Sequence, residues 1–168
     1  MATDLLDSLR SRIGADHLIT SCGARGCRVD MAGVPAPYVI VDADKAFPAH
    51  GVAGPRCDRV LFLLGPLPRR LVSVPIELKS GGLNASHVAD QLQRSLEFVN
   101  RVAPPSAPLA CRPILVHGHG LHPKQRKALG RIKIRFRGQR LTIATTRCNR
   151  PGNLAAALHV RGGSRGRP

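Results

Sequence analysis

Acidic residues are absent from the C-terminal part of the sequence. The 168 residues include 26 Lys and Arg but only 10 Asp and Glu, and every acid lies within residues 1–97. Residues 98–168 carry fifteen basic residues and no acid, so the formal net charge of +16 comes mainly from this part. Such an asymmetry is typical of a surface that binds a polyanion, with a surplus of solvated arginine as the alternative.

Aromatic residues are also scarce, at 3% of the chain, with no Trp and one Tyr. The sequence therefore offers few rings on which the bases of a single strand could stack. Duplex or structured nucleic acid is the expected partner, with DNA favoured over RNA.

Long apolar runs and regularly spaced cysteines are missing. The best apolar run, residues 60–64, is far shorter than the roughly 18 residues of a membrane span. The N-terminal segment lacks the long apolar core of a secretory signal. Five cysteines, odd in number and irregularly spaced, do not form the pattern of a disulfide framework. We therefore expect a cytoplasmic protein with reduced cysteines and no membrane partner.

Hydrophobic spacing predicts a mixed α/β fold. The length suits a single domain over residues 1–150, followed by a partly disordered Gly/Arg-rich basic tail over 151–168. The predicted elements, in chain order, are a helix over 5–13, strands over 38–41, 60–64 and 71–78, a helix capped by Ser86 that ends before Pro104, and a strand over 112–117. A basic helix over 123–129 and a hairpin of 132–137 with 140–145 follow, the hairpin having one cationic face. This order favours a sheet covered by helices.

The strands over 60–64 and 71–78 flank a turn, since residues 65–70 contain Gly and two Pro. If the turn is centred between Leu67 and Pro68, paired residue numbers sum to 135 and Asp58 falls opposite Glu77. Opposed residues of an antiparallel pair have Cβ atoms about 4.5–5.5 Å apart. Lys79 lies two residues beyond Glu77 and therefore on the same face. The hairpin thus predicts two carboxylates and one ammonium group in one place.

Two carboxylates and a lysine suit phosphodiester hydrolysis with Mg²⁺ or Mn²⁺. A hard divalent cation takes one or two carboxylates together with water and phosphate oxygens. We expect Asp58 and Glu77 to be the metal ligands, and Lys79 to hold the attacking water and stabilise the reacting phosphoryl group. With two Glu and five Lys in the chain, a Glu-x-Lys triplet is expected by chance only about 0.06 times. The alternative is an ion pair between Glu77 and Lys79 on a solvated strand face.

The segment CDRVLFLLGPLPRRLVSVPIELKSG, followed by SHVADQLQRSLEFV, resembles the PD-(D/E)XK nucleases, the restriction-endonuclease-like superfamily. The resemblance covers about residues 4–118 and implies an αβββαβ core. It implies that Asp58, Glu77 and Lys79 stand at the positions of the motif's aspartate, second acid and lysine. It also implies that Gln91 matches a glutamine that steadies the metal or substrate. Cys57 departs from the motif, which has proline before the aspartate, although many members also lack that proline.

The resemblance further implies products with 5′-phosphate and 3′-hydroxyl ends. It implies a homodimer or one component of a larger defence or repair complex. Many members carry a further acid on the first helix. Three residues of this sequence are candidates for that acid, and their spacing does not distinguish among them. Each of them could also be an ordinary charged residue near a helix N-terminus. These candidates are Asp4, Asp7 and Asp16.

Three smaller clusters each have more than one interpretation. The pair Cys22 and Cys27 could bind zinc with Cys57 or Cys148, or be small buried thiols. The segment HGHGLH over 117–122 could bind a metal, contact phosphate or form an exposed loop. The segment DAD over 42–44 offers paired carboxylates or a strand-end turn.

The expected function is that of a metal-dependent endo- or exonuclease acting on duplex or structured DNA. The alternative is a non-catalytic basic module on the same fold that binds nucleic acid. This alternative includes a module that associates with RNA. Eight basic residues are expected to contact phosphates, which position a duplex without specifying its sequence. They are Lys124, Arg126, Lys127, Arg131, Lys133, Arg135, Arg137 and Arg140.

Overall fold

The computed structural model describes residues 2–65 and 70–159. Apart from one 3₁₀ turn, Ala15–His17, its elements are five helices and nine strands within these residues. The helices are α1 Ala2–Ile13, α2 Ala43–Ala49, α3 Ala85–Val102, α4 Pro123–Arg131 and α5 Asn153–His159. The strands are β1 Leu18–Ile19, β2 Tyr38–Asp42, β3 Arg59–Leu64, β4 Leu71–Lys79, β5 Leu109–Cys111, β6 Ile114–His117, β7 Ile134–Phe136, β8 Gln139–Leu141 and β9 Ala144–Arg147.

The main sheet is mixed and open, in the order β1-β2-β3-β4-β6-β9, with β5 beside the first part of β4. The strands from β1 to β4 run antiparallel, whereas β4, β6 and β9 run parallel. Helices cover the sheet, which confirms the predicted α/β class. The helix α2 lies between β2 and β3, so the three predicted strands do not follow one another directly.

Strand β4 is the centre of the molecule and is covered on both faces. Its first eight residues are all buried. Residues such as Leu71 pack with apolar side chains of α1 and α3, and Val74, Ile76 and Leu78 pack against the face covered by α5. Pro75 has no backbone N–H to donate to a neighbour. It falls where the partner of β4 changes from β5 to β6.

Helix α3 buries one apolar stripe against the sheet, including Val88, Leu92 and Val99. Its N-cap is Asn84, whose side chain accepts from His87 N. The sequence predicted Ser86 at this position, which is wrong by two residues. The helix ends at Val102, ahead of the prolines, as predicted.

The basic hairpin is shorter than predicted. Strands β7 and β8 pair around Arg137 and Gly138, which have φ angles of 48° and 78°. Positive φ at both central residues characterises a type I′ turn. The predicted second strand over 140–145 is wrong in its extent, because β8 ends at Leu141 and residues from Ala144 onward form β9 in the main sheet.

A disulfide joins Cys27 to Cys148, so the expectation that all five cysteines are reduced is wrong for this pair. The same bond rules out these two residues as thiolate ligands of zinc in this structure. Cys22, Cys57 and Cys111 remain buried thiols. Burial raises the pKa of each of these three to about 12.

Part of the predicted tail is structured. Helix α5, which the sequence did not predict, packs on β9 through buried side chains that include Leu154 and Leu158. Residues 160–168, the remainder of the predicted tail after α5, lie outside the described residues. Within residues 2–65 and 70–159, no helix combines the length and apolar character needed to cross a bilayer.

Candidate active site

The register of β3 and β4 places Asp58 opposite Glu77. Leu64 pairs with Leu71 and Arg59 pairs with Ile76, so paired residue numbers sum to 135 as predicted. Asp58 follows directly beyond the last pair, and its backbone N–H donates to Ile76 O at 3.1 Å. Residues 66–69 of the predicted turn lie outside the described residues.

The Asp58 carboxylate is held by the backbone of the opposite strand. Its Oδ2 accepts a hydrogen bond from Leu78 N at 2.8 Å. This contact directs the carboxylate toward Leu78, which lies between Glu77 and Lys79 in β4. Asp58 itself is only half-buried. The interaction uses one carboxylate oxygen.

Glu77 is buried, with an exposed fraction of 2%. Its Oε1 lies 3.0 Å from Lys79 Nζ, whereas its Oε2 is buried without a hydrogen-bond partner among the described residues. Burial, with the Asp58 charge as a second cause, raises the pKa of Glu77 to about 7 against the opposing effects of Lys79 and Gln91. The alternative interpretation is therefore right about the ion pair between Glu77 and Lys79 and wrong about its position, because Glu77 has almost no contact with solvent.

Gln91 reaches the site from α3. Its Nε2 donates to Arg56 O at 3.1 Å, and its Oε1 is buried without a hydrogen-bond partner in the described part of the chain. Because its side chain lowers the pKa of Glu77, the amide lies beside that carboxyl group. The structure thus brings together all four predicted site residues: Asp58, Glu77, Lys79 and Gln91.

Ser95, which the sequence analysis missed, fixes α3 to the segment just before β3 that carries Asp58. Its Oγ accepts from Cys57 N at 3.1 Å and donates to Gln91 O at 2.6 Å. A proline before Asp58 could not make the first bond, since proline has no N–H. The available signal was the position of Ser95 one helical turn after Gln91 on the same face.

The donor set fits a hard divalent cation. Asp58 and Glu77 supply carboxylate oxygens, and Gln91 supplies an amide oxygen, which are the ligand types that Mg²⁺ and Ca²⁺ take. The two unpartnered buried oxygens, Glu77 Oε2 and Gln91 Oε1, would each gain a partner from such an ion. No group of three or more His, Cys, Asp and Glu suited to a metal occurs within residues 2–65 and 70–159, so an ion here would rely on two carboxylates, an amide and water.

The eight basic residues predicted to contact phosphate are all exposed. They lie on a basic module formed by α4, β7 and β8, which packs on α3. Gln93 of α3 bonds to both backbone groups of Arg135, and Gln125 of α4 donates to Leu83 O in the loop after β4. The module is therefore anchored to the helix that carries Gln91 and to the loop that follows Lys79.

Two of the other acidic candidates, Asp42 and Asp7, make contacts within the fold. Asp42 caps α2 by accepting from Asp44 N, and it pairs with Arg59 at 3.5 Å. The predicted strand-end turn is therefore wrong, because Ala43 and Asp44 form the first turn of α2, a helix that the sequence did not predict. Asp7 pairs with Arg10 on the exposed surface of α1, which supports ordinary helix charge for that residue.

The HGHGLH segment divides between two elements. His117 ends β6, and its Nδ1 contacts His119 O. His122 caps α4, with its side chain accepting from Lys124 N. The metal site that this segment could have formed is absent from the described residues.

No protein-family model, curated protein or solved structure matches the chain.

Proposed function

We propose that this protein is a metal-dependent nuclease of the PD-(D/E)XK type that hydrolyses phosphodiester bonds in duplex DNA. The observation that carries the proposal is the pair of buried, unpartnered oxygens, Glu77 Oε2 and Gln91 Oε1, beside Asp58 and Lys79. An unpartnered buried oxygen costs about 1–3 kcal/mol. Two of them in one place are understandable if the site is built for an oxygen-seeking ligand.

The residues have complementary roles in this proposal. Asp58, Glu77 and Gln91 would hold Mg²⁺ or Mn²⁺, which when bound activates water and neutralises charge on the phosphoryl group. Lys79 forms an ion pair with Glu77, and its side chain is 24% exposed, so its ammonium group contacts both the buried Glu77 carboxylate and the solvent. From that position it orients the attacking water and stabilises negative charge on the reacting phosphate.

The site charge also supports a metal-loaded state. With both acids ionised, Asp58, Glu77 and Lys79 sum to a charge of −1, which would repel a phosphodiester. A divalent cation changes that sum to +1 and favours the ionised form of Glu77, whose pKa is otherwise raised to about 7. The acids therefore attract the scissile phosphate only when the ion is bound, whereas the exposed basic module can hold the duplex without it.

The first test is a cleavage assay on plasmid DNA, structured RNA and single strands, with Mg²⁺, Mn²⁺ or EDTA. We expect metal-dependent cleavage of the duplex DNA, lost in Glu77→Gln and in Lys79→Ala while metal-free DNA binding is retained. Glu97→Gln, at the only other glutamate, which lies exposed in a pair with Arg94, and Lys45→Ala, at an exposed lysine, are the matched controls. Full Mg²⁺-dependent cleavage in Glu77→Gln would exclude the proposed site.

Metal binding has a readout of its own. Since a ligand of the folded state stabilises it by mass action, added Mg²⁺ or Mn²⁺ should raise the melting temperature of the wild type and of Glu97→Gln. The same ions should have little effect on Glu77→Gln. Equal responses in all three proteins would contradict metal binding at Glu77.

A non-catalytic nucleic-acid-binding module is the second candidate, supported by the exposure of all eight basic residues of the basic module. It requires binding with a steep salt dependence. Binding of nucleic acid without cleavage, under all of the metal conditions above, would distinguish this module from a nuclease.

A further inference from the structure

A row of basic side chains crosses the parallel half of the sheet at one register position. Lys79 of β4 pairs with His117 of β6, and His117 pairs with Arg147 of β9. Residues in register on neighbouring strands point to the same face of the sheet. Arg147 therefore shares the face of Glu77 and Lys79, although it lies 68 positions after Lys79 in the sequence.

The backbone around this row is tightly fixed. Gly118 N donates to Lys79 O at 2.7 Å, and Cys148 N donates to His117 O at 2.9 Å. A Cβ at Gly118 would lie 2.8 Å from Ser80 O, which is closer than real contacts allow. These interactions hold the ends of the three strands at one level.

The row leads from the buried Glu77 to the solvent. Glu77 is 2% and His117 is 8% exposed, whereas Arg147 is exposed. On β9, Ala144 shares the opposite face with the apolar residues that pack around α5. Thr145 and Arg147, on the face of the site, are exposed. The face of β9 that belongs to the site is thus open to a ligand.

The spacing suits a nucleic-acid strand. Neighbouring strands of a sheet lie about 4.8 Å apart, so the backbone positions of Lys79 and Arg147 are separated by roughly 10 Å. Their side chains are long, and the Arg147 guanidinium lies beside the end of β6, where its Nη2 donates to Gly118 O at 3.4 Å. A guanidinium can bind a phosphate with two parallel hydrogen bonds.

We propose that Arg147 binds a phosphate of the DNA strand that flanks the scissile phosphate held at Lys79. This inference rests on the proposed nuclease function and adds a residue to it that lies outside the basic module. In this arrangement, the cleaved DNA strand runs from Glu77 and Lys79 on β4 across β6 toward Arg147 on β9. Arg147 is thus a positioning residue for the substrate backbone, and Lys79 remains the residue at the reacting phosphate.

The binding test uses a short fluorescent DNA duplex in EDTA, with wild type, Arg147→Ala, Arg147→Lys and Arg150→Ala. Arg150 is an exposed arginine three positions on and serves as the charge-matched control. We expect Arg147→Ala to weaken binding about tenfold and to reduce the slope of log K against log salt by about 0.9, the value for one lost phosphate contact. Arg150→Ala should keep the wild-type slope, and Arg147→Lys should recover part of the affinity.

The cleavage test replaces single phosphates around the cut with neutral methylphosphonates. In the wild type, one flanking substitution should slow cleavage, whereas Arg147→Ala should be insensitive to that same substitution. If wild type and Arg147→Ala respond equally at every position, the role of Arg147 is excluded and the nuclease proposal stands. Absence of cleavage by wild type would instead overturn the nuclease proposal, and cleavage of RNA alone would overturn the DNA assignment.

Discussion

Burial raises the pKa of the Glu77 carboxyl group from its ordinary value of 4.5 to about 7. In the unfolded chain this group ionises near its ordinary value, whereas in the folded protein it keeps its proton up to about pH 7. The free energy of unfolding therefore falls as the pH rises from 4.5 to about 7, and it does not fall further above about pH 7 on account of this group. The total is on the order of 3 kcal/mol.

Glu77→Gln removes this ionisation, so we expect the variant to unfold at higher urea concentration than wild type at about pH 8. Near pH 4.5, where Glu77 is neutral in the fold, the two proteins should be similar. Urea unfolding in EDTA at both pH values measures the difference, with Glu97→Gln as the exposed control. A wild type that is more stable than Glu77→Gln at the higher pH would contradict the cost assigned to the buried charge.

At the scale of elements, the contact between α3 and the start of β3 determines how the amide and the carboxylates meet. Ser95→Ala leaves the buried Cys57 N–H without the acceptor it now has. We expect a loss of about 1–3 kcal/mol in the free energy of unfolding. We also expect a weaker response of the melting temperature to Mg²⁺, because residues 56–58, whose Arg56 O accepts from Gln91 Nε2, are then less firmly held to α3. Ser8→Ala, at an exposed serine of α1, is the control and should change neither quantity.

Local patterns predicted the elements that build the acidic site. The register of β3 and β4 followed from the short connection between them, because a compact turn leaves few ways to pair two strands. The position of Lys79 beside Glu77 then followed from the two-residue period. Ser95 was missed because its position one turn after Gln91 indicates only that the two share a helix face, and not which backbone group the hydroxyl contacts.

Contacts between distant segments were not predictable in the same way. The alternating residues 140–145 suggested one strand, but the chain leaves β8 and pairs residues 144–147 with β6 in the main sheet. Periodicity indicates that a segment forms a strand, but it does not indicate which other strand that segment pairs with. The position of Arg147 beside His117 could therefore come only from the structure.

At the scale of the whole molecule, the two parts of the charge-divided sequence are interleaved in space. The acids that form the site belong to the N-terminal part, and β6 and β9 from the C-terminal part complete the sheet around them. The basic module lies on one side of the site, and Arg147 lies across the sheet from Lys79. The fold therefore places basic residues of the C-terminal part beside acids of the N-terminal part, although the two kinds of residue are far apart in the sequence.

The Cys27–Cys148 disulfide connects these two parts over a sequence separation of 121 residues. Around it, Asn149 accepts from Arg28 N, and Asn153 Nδ2 donates to Arg28 O and Arg147 O. A bond that closes so long a loop restricts the unfolded chain strongly. Its contribution to stability should therefore exceed that of the hydrogen bonds beside it.

We expect a reductant, or the double substitution Cys27→Ala with Cys148→Ala, to lower the free energy of unfolding by about 2–4 kcal/mol. Urea unfolding with and without dithiothreitol measures this, and the double variant should be insensitive to the reductant. Because Cys148 packs on the face of the sheet opposite Glu77, metal-dependent cleavage by the folded variant should persist. An unfolding midpoint of wild type that does not respond to complete reduction would contradict the stabilising role of the bond.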